Sequence, residues 1–275
     1  MRILVCNDDG VYSPGIAALA EVASKYGTVR IVAPNVEQSS MGHAITASRP
    51  LSYRRTPIGA FDAYRVNGTP ADCVALGAYQ WDKVDVILSG CNLGFNLGNG
   101  IWHSGTLAAA KQAVLLGLRG IAFSAPAGIE RFDALKPWMH RALDTLLPLE
   151  DLPLVNVNLP REPRGLVWTR VSVRKYDGVI VPTRDPLGRE MYWFSVTPIE
   201  GAEEGTDRWA VEQQWISMTP LRVDLTDEPR LALCMAQHPT DEAIASAISE
   251  PQSSPEAAKA VKAEEASAGL ADGQH

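Results

Sequence analysis

The chain has 275 residues, of which 46% are hydrophobic and 21% are charged, and its formal net charge is −7 at pH 7. This composition is typical of a globular protein with one large core or two unequal lobes, and the negative charge argues against a broad basic surface for a large nucleic acid. No apolar run approaches the roughly 18 residues of a membrane span, and the N-terminus begins directly with a strand pattern, so we expect neither membrane insertion nor a secretory signal.

Strand and helix patterns alternate through the first half of the chain. The segment "RILVC" predicts a buried strand, "GIAALAEVASKYG" a helix that ends near Gly27, and "TVRIVAP" a second strand. After an antiparallel pair expected between Ile45 and Asn67, the patterns predict a helix in "PADCVALGAYQW", a strand in "VDVILSG", a helix in "GTLAAAKQAVLLGLRG" and a strand in "GIAFSA". This alternation favours an α/β fold, with a mostly parallel sheet covered by helices on both faces.

The pattern changes after about residue 150. "LVNVNLP" predicts one more strand, and the following aromatic and polar alternation around Asp-Gly and Pro-Leu-Gly turns predicts a long β-hairpin. "QQWISMTPLRVDLTD" predicts a final strand, and from about Pro239 the small and polar composition is typical of a mobile tail without a catalytic role. We therefore expect three regions, with boundaries at 1–150, 151–238 and 239–275.

The cysteines indicate a reducing compartment. They show no CxxC spacing and stand among apolar or small residues, so we expect buried free thiols at Cys6, Cys73, Cys91 and Cys234. Free cysteines without a pairing pattern favour a cytoplasmic protein.

Polar loops follow three of the predicted strands. Asn7-Asp8-Asp9-Gly10 follows the first strand, "NVEQSSMGHAIT" follows the second, and "CNLGFNLGNGIWHSGT" follows "VDVILSG". Ligands of open parallel sheets bind beyond the carboxyl ends of the strands. We therefore expect these loops to converge on one edge of the sheet and to form the site.

Two interpretations of Asp8 and Asp9 are open. Aspartates at the start of a helix often act as caps, and Asp-Asp-Gly also suits a turn. Alternatively, the two carboxylates bind a divalent cation, because hard oxygen ligands favour magnesium or manganese. In that case a phosphate could approach the neutralised pair, which is the usual arrangement for metal-assisted phosphoryl chemistry.

The long loop after "VDVILSG" carries the features of a phosphate site. Its glycines allow backbone to approach a ligand, and "HSGT" opens a helix whose first N–H groups could hold a phosphate. Ser104 or Thr106 could equally be a helix cap. No P-loop and no GxGxxG motif is present, and His43 and His103 are open as ordinary surface residues or as catalytic residues.

In combination, these motifs resemble the SurE family of survival proteins, which are 5'/3'-nucleotidases and acid-type phosphomonoesterases. The resemblance runs from Met1 to about Asp227, and its later part includes "GTDRWAV" and "ISMTPL". It rests above all on these motifs in this order: "RILVCNDDG", "APNVEQSSMGHAIT", "GTPADCV", "LSGCNLGFNLG" and "HSGT".

The resemblance implies a residue for each role. Asp8 and Asp9 match the metal-binding aspartates and are the catalytic candidates, and Ser39 and Asn92 match the other ligands of one Mg²⁺ or Mn²⁺ ion. The phosphate-binding part of the family matches Asn96, Ser104, Gly105 and Thr106. The resemblance also implies a Rossmann-like catalytic domain over 1–150 and, over 151–238, a final sheet strand, a swapped hairpin and a C-terminal helix that build a homodimer or homotetramer.

The expected activity is metal-dependent hydrolysis of nucleoside 5'- and 3'-monophosphates, with short-chain polyphosphate as a further substrate. Asn35 and Gln38 stand where relatives have Asp and Arg, which puts polyphosphate cleavage in more doubt. Two other functions are open: a haloacid-dehalogenase-like phosphatase with a covalent phosphoaspartate, although that chemistry usually has its carboxylates as DxD, and a regulatory module that binds nucleotide without turnover.

Overall fold

The computed structural model describes residues 1–129, 131–173 and 176–237. Contacts divide the chain into two compact units, Met1–Val223 and Asp224–His275. The strands are β1 Arg2–Cys6, β2 Thr28–Pro34, β3 Tyr53–Arg55, β4 Asp62–Val66, β5 Val86–Leu93, β6 Arg119–Ala125, β7 Leu154–Asn158, β8 Leu166–Trp168, β9 Tyr176–Arg184, β10 Glu190–Pro198 and β11 Ile216–Pro220. The helices are α1 Pro14–Ala23, α2 Pro70–Gln80, α3 Gly105–Leu115, α4 Lys136–Leu146, α5 Asp207–Glu212 and α6 Glu228–Gln237, and a short 3-10 helix spans Gly98–Trp102.

The first unit is built on a nine-stranded sheet with the order β3-β4-β2-β1-β5-β6-β7-β11-β8. The strands from β4 through β7 in this order run parallel, whereas β3 and β11 are antiparallel to their inner neighbours. The predicted α/β fold with a mostly parallel sheet is therefore confirmed. The antiparallel pair expected between Ile45 and Asn67 is also present, and its strand β4 extends the main sheet along β2.

Side chains alternate along the buried strands, so each strand contributes to the core on both faces of the sheet. In β1, Ile3 and Val5 point into a core shared with α1 and α4, while Leu4 and Cys6 point into a second core shared with α2 and α3. Both cores consist mainly of fully buried aliphatic side chains. Burial on both faces explains why these strands are continuous apolar runs in the sequence.

Strands β9 and β10 form a separate two-stranded antiparallel hairpin in the first unit. Its exposed side chains include Ile180, Tyr192, Trp193 and Phe194. In the second unit, α6 is the described helix, and the residues from 239 onwards, where we expected a tail, lie outside the described residues. Among the described residues, no helix has the length and the apolar character needed to cross a membrane.

The cysteine prediction is correct for three residues and wrong for the fourth. All four thiols are free, and Cys6, Cys73 and Cys91 are buried in the first unit. Cys234 is exposed because it lies on α6, which has no buried residue. The apolar neighbours of Cys234, such as Leu233 and Met235, are exposed on the same helix and do not form a core around it.

Candidate functional site

The site lies where the strand order reverses. From β1 the chain continues through β2 and β4 on one side, and it returns to build β5, β6 and β7 on the other. The carboxyl ends of β1 and β5 therefore open into a crevice, which is the position where open α/β sheets bind ligands. A cleft of about 210 Å³ occupies this position and is lined by Asp8, Asp9, Glu37, Ser39, Ser40, Asn92, Leu93, Asn96, Gly100, His103 and Ser104.

Asp8 is held against the start of α3. The Thr106 hydroxyl donates a hydrogen bond to Asp8 Oδ1 at 2.6 Å. Gly105 allows this contact, because a Cβ at that position would lie 2.7 Å from the Cβ of Asp8. Burial raises the pKa of Asp8 above its ordinary value, although the hydrogen bond from Thr106 opposes the shift.

Asp9 is half-buried and lacks a partner for one oxygen. Its Oδ2 atom is buried and accepts no hydrogen bond from any residue that the structure describes. Burial, and then the negative charge of Asp8, raise the pKa of Asp9 to about 6. A buried carboxylate oxygen without a donor, beside a second carboxylate, is an environment that a cation would stabilise.

Ser39 reaches the cleft on the loop after β2. The backbone N–H of Gln38 donates to the carbonyl of Asp8 at 2.8 Å, which ties this loop to the end of β1. The Ser39 hydroxyl donates to Glu37 Oε1 at 2.5 Å. Glu37 is thus a third carboxylate at the cleft, and sequence reasoning missed it; its position two residues before Ser39 in a ligand loop was the available signal.

Asn92 lies at the end of β5, beyond an irregularity in the pairing with β6 between Ser89 and Asn92. Its Nδ2 atom donates to the carbonyl of Gly94 at 2.7 Å. The side-chain amide group is thereby oriented through its NH2, which leaves the Oδ1 atom as the available ligand atom. Asn92 is the register partner of Ser124 in β6, and Ser124 is the register partner of Asn158 in β7. A row of polar side chains therefore ends three adjacent strands.

Ser104 caps α3 and faces the cleft. Its Oγ accepts the backbone N–H of Leu107 at 3.0 Å, so the hydroxyl proton is available to another acceptor. Of the residues predicted for the phosphate site, Ser104 and Asn96 line the cleft, and Gly105 and Thr106 lie behind Asp8. The structure therefore places the whole predicted set around one crevice.

The two histidines lie in different places. His103 lines the cleft, and its backbone carbonyl accepts the N–H of Gly42 at 3.0 Å. His43 is not among the lining residues; its Nε2 atom lies 2.9 Å from Gln112 Oε1 on α3. His43 therefore braces the loop that carries Ser39.

The charges of the cleft are unbalanced. The described residues that line it include three carboxylates, those of Asp8, Asp9 and Glu37, and neither lysine nor arginine. Within the described part of the chain, no group of three or more His, Cys, Asp and Glu side chains has the geometry of a metal site. A cation bound here would need the serine and carboxamide oxygens of Ser39 and Asn92 beside the two aspartates.

Comparisons with known proteins agree on one family. A family model described as "Survival protein SurE" matches residues 3–178. The chain is 45% identical to the "5'-nucleotidase SurE 1" of Thermus thermophilus, over 82% of this chain and 93% of the relative. It is 44% identical to the "5'-nucleotidase SurE" of Deinococcus radiodurans, over 82% of this chain and 88% of the relative. The crystal structure of the SurE protein from Aquifex aeolicus superimposes with a TM-score of 0.75 at 37% identity, covering 86% of this chain and 99% of that chain.

Proposed function

The chain belongs to the SurE family, and on that basis we propose that it is a nucleotidase that hydrolyses nucleoside 5'-monophosphates to nucleoside and phosphate with the help of a divalent metal ion. Two relatives named 5'-nucleotidase align with this chain over 93% and 88% of their own length, which supports carrying the activity over. The proposal also rests on the chemistry of the cleft.

The charge of the cleft is the observation that carries the proposal. A phosphate monoester is a dianion at neutral pH. Three carboxylates, with neither lysine nor arginine among the described lining residues, would repel it. One divalent cation held by Asp8, Asp9, Ser39 and Asn92 would offset most of this negative charge and attract the phosphate directly, and these all-oxygen ligands fit Mg²⁺ or Mn²⁺. When bound, such an ion polarises a phosphoryl oxygen and lowers the pKa of water.

The start of α3 supports the phosphoryl group. Ser104 has a hydroxyl proton to donate, and the first N–H groups of a helix, here from Gly105, favour anions. Asn96 and Thr106 complete the proposed phosphate subsite, in which the Ser104 hydroxyl and the N–H groups of the helix start stabilise the charge that develops on the phosphoryl oxygens.

Proton transfer is assigned to two residues. Asp8 Oδ1 accepts a hydrogen bond from Thr106, whereas Asp9 Oδ2 has no donor among the described residues. Asp9 is therefore the better placed carboxylate to take a proton from the attacking water. His103 lines the cleft and is the candidate donor of a proton to the leaving alkoxide. Inversion at phosphorus and the absence of a phosphoaspartate are the expected signatures of direct attack by water.

The size of the cleft bears on the substrate. Its volume of about 210 Å³ is below the roughly 300–1,000 Å³ of sites that enclose a whole drug-sized ligand. We infer that the phosphate end enters the cleft and that the base lies outside it, which favours a broad choice of nucleotide. Cleavage of 3'-monophosphates fits this arrangement. Polyphosphate is disfavoured, because the described residues that line the cleft include no lysine or arginine.

The proposed function is tested by phosphate release from AMP with Mn²⁺, Mg²⁺ or EDTA. We expect activity with a divalent ion, none with EDTA, and a loss of at least 100-fold in Asp8→Asn and Asp9→Asn. Asp151→Asn, which removes an exposed carboxylate, serves as the matched control. Activity that persists in EDTA, or variants within about tenfold of the wild type, would refute the assignment. Nucleotide binding without turnover would favour the regulatory module.

The hairpin is the proposed contact between copies of the chain. Strands β9 and β10 expose Ile180, Tyr192 and Phe194 on one face of the hairpin and Trp193 on the other, with Trp193 and Phe194 each 68% exposed. Exposed aromatic side chains on a two-stranded hairpin are a poor surface for a monomer. This supports a homodimer or homotetramer assembled through the hairpin.

A further inference from the structure

The backbone N–H and carbonyl of Asn96 are both held by side chains of strand β7. Asn158 contacts it at two points: the backbone N–H of Asn96 donates to Asn158 Oδ1 at 2.9 Å, and Asn158 Nδ2 donates to the Asn96 carbonyl at 3.1 Å. Asn156 Nδ2 donates to the same carbonyl at 2.8 Å. Two side chains thus fix the backbone of one residue that lies 60 and 62 positions earlier in the chain.

Asn156 and Asn158 are placed to act together. They are two residues apart on a strand, so their side chains emerge on the same face. Both are fully buried. Buried amide groups cost free energy unless they are hydrogen-bonded. Both NH2 groups donate to the Asn96 carbonyl, and Asn156 Oδ1 has no partner among the described residues. Within the described part of the chain, the side-chain hydrogen bonds of the pair are therefore made to Asn96.

The side chain of Asn96 is oriented by the hydrogen bonds that its own Nδ2 atom makes. Its Nδ2 atom lies 2.9 Å from Ser124 Oγ and 3.4 Å from Thr106 Oγ1. The Thr106 hydroxyl gives its one proton to Asp8, whose carboxylate can only accept, so toward Asn96 it must act as an acceptor. The NH2 group of Asn96 must therefore point inward, and both of its hydrogens are used there.

This orientation leaves the carboxamide oxygen of Asn96 for the cleft. Asn96 is 8% exposed and is one of the residues that line the cleft. Its Oδ1 is not among the buried side-chain atoms that lack a partner in the described part of the chain. An oxygen in this position accepts hydrogen bonds and cannot donate to a phosphate dianion, which itself offers only acceptors.

We propose that Asn156 and Asn158 are positioning residues, which hold Asn96 so that its carboxamide oxygen accepts a hydrogen bond from the attacking water. This inference rests on the proposed function and gives Asn96 a catalytic role within the proposed subsite. Asn96 orients the water, while Ser104 and the start of α3 bind the phosphate. Orientation of this kind changes the rate of the chemical step more than the binding of substrate.

A double-mutant cycle between positions 96 and 158 tests the inference. In full-length protein with Mn²⁺ and AMP, we expect Asn96→Ala and Asn158→Leu each to lower kcat about 10- to 100-fold. The double variant should be no slower than Asn96→Ala, because Asn158 acts through the Asn96 side chain. KM for AMP, the inhibition constant of inorganic phosphate and the Mn²⁺ affinity measured by calorimetry should all stay within about threefold.

Two further variants distinguish a loss of catalysis from a loss of folding. Asn156→Leu removes one hydrogen bond instead of two and leaves Asn158 in place, so we expect a smaller fall in kcat with the same unchanged phosphate inhibition. Thr169→Val breaks a buried hydroxyl pair with Thr219 in the same sheet, at 2.7 Å, and has no bond to Asn96. It should lower the melting temperature without the fall in kcat.

The outcomes distinguish a failure of the proposed nucleotidase function from a failure of the role proposed for Asn96. A wild type that releases no phosphate would overturn the proposed function and the inference with it. An active wild type would overturn the inference alone if Asn96→Ala weakens phosphate inhibition as much as it lowers kcat, since Asn96 would then bind phosphate. Additive effects in the double variant would also overturn it, because Asn158 would then act independently of Asn96.

Discussion

Thr106 and Asp8 are joined by a 2.6 Å hydrogen bond although they lie 98 residues apart in the chain. The bond connects the carboxyl end of β1 to the first turn of α3, and it is completely buried. The carboxylate most buried in the cleft is therefore fixed by the helix that also supplies the proposed phosphate subsite. The ligand geometry and the docking of α3 on the sheet depend on each other.

Removal of the Thr106 hydroxyl should weaken metal binding. In Thr106→Val, which keeps the shape of the side chain, Asp8 loses its donor, and we expect Mn²⁺ affinity to fall at least tenfold, as for other partners of metal ligands. Thr106→Ser keeps the hydroxyl and should stay within about twofold. Calorimetric titration with Mn²⁺ measures both, and equal affinities in the two variants would show that this hydrogen bond does not orient Asp8.

Neutralising Asp9 should stabilise the metal-free protein. The folded-state pKa of Asp9, about 6, lies above the ordinary value of 3.8, so the folded state favours the protonated carboxyl. The stability that this preference contributes is fully present below pH 3.8 and is lost as pH rises through 6. At pH 7.5 in EDTA we expect Asp9→Asn to be more stable than the wild type, by on the order of 1–2 kcal/mol after screening. The gain should vanish near pH 4.

Metal should reverse this order of stability. Saturating Mn²⁺ stabilises a folded state that binds it, so the wild type should gain in melting temperature and Asp9→Asn should gain little. Thermal unfolding with and without Mn²⁺ measures the difference. If Asp9→Asn is the less stable protein in EDTA at pH 7.5, Asp9 has a structural partner and the description of its oxygen as unpaired is wrong.

A methyl group at position 105 should damage the site more than the fold. In Gly105→Ala the new Cβ would meet the Asp8 side chain at 2.7–3.1 Å, so Asp8 must move. Gly77→Ala is the matched control, because its Cβ would meet Leu4 at 2.8 Å within the core behind α2. We expect both variants to lose melting temperature, and only Gly105→Ala to lose at least tenfold in kcat. Similar activity in the two would place Asp8 outside the chemistry.

A charge on the hairpin should lower the oligomeric state. Trp193→Asp places a carboxylate where the apolar surface of β9 and β10 is proposed to meet a second copy, and a buried unpaired charge disfavours association. Tyr79→Asp, at a residue 83% exposed on α2, is the control. Light scattering after size-exclusion chromatography measures the mass. A monomeric wild type, or a Trp193→Asp variant of unchanged mass, would contradict the assembly.

The local sequence determined the layout of the fold and the place of the site. Apolar runs alternating with helical periodicity specify a parallel sheet covered on both faces, since only buried strands are apolar throughout. Polar residues directly after those runs, such as Asp8 and Asn92, must then lie at the carboxyl edge. Both inferences follow from patterns within about 15 residues.

Tertiary structure alone decided which atoms of these residues are available for chemistry. The entry of Glu37 into the cleft, the unpaired oxygen of Asp9 and the inward NH2 of Asn96 depend on partners brought together by folding. Asn158 holds Asn96 from 62 positions away, and such pairings have no local signature. A residue type states which hydrogen bonds a side chain can make, but its neighbours in space decide which of them it does make.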